Sequence, residues 1–61
     1  GELRAALAKL PPAFRMIVIL REMEGLSTRE AAKVTRMTED NVKTRLHRAR
    51  VMLRESLEAT R

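Results

Sequence analysis

The chain has no cysteine, tryptophan or tyrosine, and among its 61 residues only one phenylalanine, one histidine, two glycines and two prolines. Without thiols there is neither a disulfide framework nor a thiolate metal site, and nothing directs the chain to an oxidising compartment, so a cytoplasmic location is expected. Strand signals are nearly absent, because no alternating apolar run is bounded by turn residues. No apolar run approaches the roughly 20 residues of a membrane span and no signal peptide is present, so no membrane partner is expected. The single His47 has no neighbouring ligand set at metal spacing. No carboxylate pair or nucleophile–base arrangement is suggested either, so no catalytic residue, metal or cofactor is expected. What remains is one small all-α domain over residues 1–61, of a size that buries only about 60% of its unfolded surface. The chain begins at Gly1 rather than Met, which suggests a fragment of a longer protein.

Positive charge is what the chain has in excess. Thirteen Lys/Arg against eight Asp/Glu give a net charge of +5, and the balance favours a polyanionic partner. Basic residues that merely solvate a helical surface would give the same total, so their distribution has to decide. Between Val42 and Arg54 stand five basic residues, Lys43, Arg45, Arg48, Arg50 and Arg54, and no acidic one. The charge is concentrated in one element.

Taken in order, Leu3, Leu7 and Leu10 form the i, i+4, i+7 stripe of a first short helix. It must end by Leu10, because the residue before a proline is pushed out of the α region. Pro12 suits the first turn of a second helix, expected over about Pro12–Glu24. Its apolar residues, Phe14, Met16, Ile17, Val18, Ile19, Leu20 and Met23, cover nearly the whole circumference. Such a helix is either central to the core or keeps a second face for a partner. Gly25 supplies a left-handed residue to close it. Ser27 and Glu30 then form a capping box, with Leu26 and Ala31 as a hydrophobic staple. The third helix spans about 28–35, with Ala31, Ala32 and Val34 facing inward. Arg36-Met37 makes a turn, and Thr38 caps a fourth helix over about 39–57. Taking about 100° per residue, Val42, Leu46, Ala49, Leu53 and Leu57 form its core stripe. Asp40, Thr44, His47, Arg48 and Val51 point the opposite way. Lys43, Arg50 and Arg54 lie on one flank, Asn41 and Arg45 on the other. A capped short helix, a tight turn and a longer cationic helix make a DNA-binding helix-turn-helix, in which central side chains reach base edges and flanking cations meet phosphates.

These segments resemble region 4, the C-terminal DNA-binding domain, of bacterial sigma factors of the extracytoplasmic-function type. The resemblance runs from about Leu10 to Glu55. It rests on Leu10-Pro11-Pro12 with Phe14-Arg15, on Glu24-Gly25-Leu26-Ser27, on Glu30-Ala31-Ala32, and most specifically on the string from Val42 to Arg50. It implies recognition of the promoter −35 element, double-stranded DNA, within RNA polymerase holoenzyme. The family's base-reading positions correspond to Lys43, Thr44, His47 and Arg48. Thr28, Arg29, Arg45, Arg50 and Arg54 are expected to meet phosphates. The family also docks the flap of the polymerase β subunit, expected here on Phe14, Ile17, Ile19 and Leu20, and anti-sigma factors are a further partner. A monomer is expected.

Two positions depart from the pattern. Arg36 stands where such turns usually carry Gly, and a left-handed non-Gly residue costs on the order of 1 kcal/mol. Thr35 replaces the customary apolar residue before it. Two other readings stay open at this level: the DNA-binding effector domain of a response regulator, and a module that mainly docks proteins.

Overall fold

The computed structural model describes residues 1–59, so the last two residues of the expected 1–61 domain lie outside it. The elements are α1 (Glu2–Lys9), α2 (Pro12–Val18) running directly into a π-helical turn (Ile19–Met23), α3 (Thr28–Thr35) and α4 (Glu39–Ala59). No strand occurs among the described residues. The chain is all-α, as its composition predicts.

The corner between α1 and α2 is built by the two prolines and Arg15. Leu10 is extended (φ −69°, ψ 144°), as a residue before proline must be. Neither proline offers an N–H. The Pro11 carbonyl accepts the amides of Phe14 and Arg15, both at 3.0 Å, while Arg15 Nη2 donates to the Leu10 carbonyl at 3.2 Å. Arg15 therefore satisfies a carbonyl that the helix break would otherwise orphan. Within α1, Ala6, Leu7 and Leu10 are buried, but Leu3 is 55% exposed. The expected stripe fails at Leu3 because it sits in the first turn, where it lines an open groove with Ile19 and Met23.

The second helix is not one regular helix over 12–24. It is α-helical only to Val18, and the next turn widens. The Glu24 amide reaches the Ile19 carbonyl at 2.8 Å, and the Leu26 amide reaches the Leu20 carbonyl at 2.9 Å. Arg21 Nη1 donates to the Leu26 carbonyl at 2.5 Å, and Gly25 (φ 74°) takes the left-handed conformation that turns the chain towards α3. Ile17, expected on a docking surface, is fully enclosed. It lies on the side of α2 that packs against α4, so it is a core residue and cannot meet a partner. Phe14 and Leu20 pack at the margin of the core, while Met16 and Met23 are exposed.

The capping box of α3 is present in full. The Glu30 amide donates to Ser27 Oγ at 3.0 Å, and the Ser27 amide donates to Glu30 Oε1 at 2.8 Å. Ala31 and Ala32 are buried, whereas Val34, expected to face inward, is 63% exposed. The two alanines fix the buried face, and Val34 falls roughly 110° around the helix from it. On α4, Val42, Leu46, Ala49 and Leu53 are buried and Leu57 packs beside them. The core stripe of α4 lies where its periodicity predicts, and α4 extends to Ala59.

Candidate nucleic-acid interface

The fourth helix is aimed by the turn that precedes it. Arg36 adopts the left-handed conformation (φ 60°, ψ 30°) and its amide closes onto the Ala32 carbonyl. The Met37 amide reaches the same carbonyl at 3.1 Å. Thr35 compensates locally for its polarity: its hydroxyl donates to the Ala31 carbonyl at 2.7 Å. Thr38 Oγ1 then accepts the Asn41 amide at 3.1 Å, which caps α4. Glu39 and Asp40 occupy its first turn, where negative charge meets the positive end of the helix.

With Val42, Leu46, Ala49 and Leu53 seated in the core, the opposite face has no freedom to turn inward. Lys43, Thr44, His47 and Arg48 are all exposed, and so are Arg50 and Arg54. Val51, on the same outward side, is half-buried. At the start of α3, Thr28 is half-buried and Arg29 exposed.

The two flanks of α4 differ in how their cations are held. On one, Arg50 Nε donates to Glu22 Oε1 at 2.8 Å and Nη2 donates to the same oxygen. This is the one Lys/Arg ion pair found among the described residues. On the other, half-buried Arg45 lies over the Phe14 ring, with its guanidinium carbon 5.9 Å from the ring centroid. Phe14, Asn41, Thr44, Arg45 and Arg48 together line a cleft of about 180 Å³. Phe14, expected to serve polymerase docking, therefore stands beside the cations of the helix-turn-helix. Neither Glu22 nor Phe14 could be placed here from spacing, since both act across helices, Glu22 at 28 residues from Arg50.

The capping box also sets one protonation equilibrium. The Glu30 carboxyl is held below its ordinary range by the Ser27 amide, then by the Ser27 hydroxyl, with a smaller contribution from Lys33. Its charge sits at the N-terminus of α3, two residues from Thr28. Among the described residues no cluster of His, Cys, Asp or Glu could hold a metal ion, and no helix is long and apolar enough to cross a membrane.

Residues 1–53 match the family described as "Sigma-70, region 4". The chain belongs to this family. This region 4 domain is 43% identical over 57 residues to "ECF RNA polymerase sigma factor SigE" of Mycolicibacterium smegmatis, a match covering 93% of this chain and 22% of that protein. It is 41% identical over 56 residues to "RNA polymerase sigma factor SigV" of Bacillus subtilis, covering 92% of this chain and 34% of the relative. "ECF RNA polymerase sigma factor SigX" of the same organism is 40% identical over 60 residues, covering 98% and 31%. The chain thus spans between 22% and 34% of the length of these relatives. No solved structure matches it at comparable significance.

Proposed function

We propose that this region 4 domain recognises the −35 element of promoters as part of RNA polymerase holoenzyme and so directs transcription initiation. Family membership supports the reading, and the observation that carries it is the outward face of α4. Lys43, Thr44, His47 and Arg48 stand exposed on a helix whose other side is locked by four buried residues. Exposed donors on a rigid helix are what a major groove accepts: Arg and Lys pair with guanine, and a Thr hydroxyl or His ring meets either base type. Arg29, Arg45 and Arg54, with Thr28, serve the phosphates, and Arg50 does so when it leaves Glu22.

Docking on the polymerase β flap falls to the surface that α2 and its π-helical turn leave open. Ile19 and Leu20 are half-buried there, and Met23 is exposed beside Ile19 and Leu3. Ile17 has no part in it, being enclosed, and Phe14 lines the cleft with Arg45 and Arg48 of α4 instead. An anti-sigma factor that covered either surface would silence the domain. Membership of the sigma family disfavours the response-regulator alternative.

The test is selection of binding sites from a random-sequence duplex pool by the full-length factor with polymerase, followed by titration of the selected site. Arg48→Ala should weaken binding to that site by about 1–3 kcal/mol and relax the preference at one base pair. Equal affinity of wild type and Arg48→Ala for all sequences would refute base reading by this face.

A further inference from the structure

We propose that Phe14 is a positioning residue for DNA binding: its ring holds the Arg45 guanidinium ready for a backbone phosphate in the cleft between α2 and α4. The proposal rests on the DNA-binding reading of α4 and extends the interface to a residue outside the helix-turn-helix. Phe14 is the only aromatic residue of the chain. It lies in α2, half-buried at the margin of the core, with Arg45 above it at 5.9 Å.

The two flanks of α4 show why a ring differs from a carboxylate as a partner. Glu22 occupies Nε and Nη2 of Arg50, so those donors are spent within the protein. An aromatic face attracts the same charge through its quadrupole and takes no N–H. Among the described residues the Arg45 side chain makes no hydrogen bond within the protein, so its planar fork of donors stays available for an anion. The surroundings suit a phosphodiester. The cleft of about 180 Å³ is lined by Phe14, Asn41, Thr44, Arg45 and Arg48, a set with two arginines and no acidic residue. A long, flexible side chain that met DNA unaided would lose rotamer entropy on binding; the ring restricts Arg45 before DNA arrives.

The experiment titrates a 20-base-pair duplex of fixed arbitrary sequence by fluorescence anisotropy between 50 and 200 mM salt. The proteins are wild type, Phe14→Leu, Phe14→Tyr, Arg45→Ala and the double variant Phe14→Leu/Arg45→Ala, each checked for helicity and melting by circular dichroism. Loss of one phosphate contact lowers the salt slope by about 0.9 and the affinity on the order of five- to tenfold at 0.1 M. Arg45→Ala should show this loss, Phe14→Leu should approach it, and Phe14→Tyr, which keeps the ring, should not. In the Arg45→Ala background Phe14→Leu should have no further effect. An equal additional loss in that background, or an unchanged slope in Phe14→Leu, overturns the proposal while leaving DNA binding intact. Where wild type binds only the site selected by the full-length factor with polymerase, the same variants are compared on that site, and an unchanged salt slope in Phe14→Leu there overturns the proposal.

Discussion

Arg36 is where a single residue works against the fold. It holds φ 60° without being glycine, in a turn whose two amides close onto one carbonyl. The left-handed conformation costs a side-chain-bearing residue about 1–2 kcal/mol, and glycine would give back part of that gain through its freer unfolded chain. Arg36→Gly should therefore stabilise the domain by up to about 1 kcal/mol, seen as a higher urea midpoint at unchanged slope. A lower midpoint would mean that the Arg36 side chain contributes more than its backbone loses. The turn chemistry of a helix-turn-helix marks this position in the sequence but leaves the conformation of a non-glycine residue there open, and the structure shows it left-handed. The burial of Ile17 was not marked at all. Periodicity assigns buried faces only where a helix has a polar side, and α2 is apolar around most of its circumference. Which of Ile17 and Ile19 is enclosed was decided by the packing of α2 on α4.

Among the elements, α3 was the most legible and the end of the second helix the least. Ser27 and Glu30 lie three residues apart and bond reciprocally, so the start of α3 follows from local chemistry alone. Ile19–Met23 carries neither Pro nor Gly, and nothing in ILREM marks a wider turn. That turn depends on Leu26 beyond it, whose amide donates to the Leu20 carbonyl and whose carbonyl accepts from Arg21, which draws the loop back over the helix end. The capping box also gives α3 a pH dependence. Glu30 has its carboxyl lowered from 4.5 in the folded state, so the unfolded chain binds more protons in the acid range. Its contribution is complete above the unfolded value and disappears as pH falls through the folded one. Wild type should therefore melt higher than Glu30→Gln above about pH 5, and the difference should shrink steadily with acidification. Melting by circular dichroism across a pH series reads it directly. A gap that stays constant into strong acid would show that the carboxylate charge is not its source.

At the scale of the whole molecule, shape and charge are both set by α4. A helix of 21 residues is about 31 Å long, most of the 36 Å long dimension of the domain. Among the described residues the Glu22–Arg50 pair is the one ion pair that the cations of α4 make. An exposed pair of this kind contributes only about 0–1 kcal/mol to stability, so on the proposed DNA-binding reading its larger effect is on what Arg50 can do for DNA. On the proposed assignment of Arg29, Arg45 and Arg54 to phosphates, with Arg50 retained by Glu22, about three contacts should give a salt slope near −2.7, a loss of about 40-fold between 50 and 200 mM. Glu22→Gln weakens the hold on Arg50 and should raise the count to about four, with a slope near −3.6 and a loss of about 150-fold over the same range. Removing a negative charge raises DNA affinity from any position through the overall field, so Glu2→Gln on α1 serves as the control. That variant should bind slightly tighter at low salt without the added contact. If Glu22→Gln and Glu2→Gln gave the same slope, Arg50 would be equally engaged with DNA whether or not Glu22 is charged, and the pair would be a brace between α4 and the π-helical turn rather than a competitor for the phosphate.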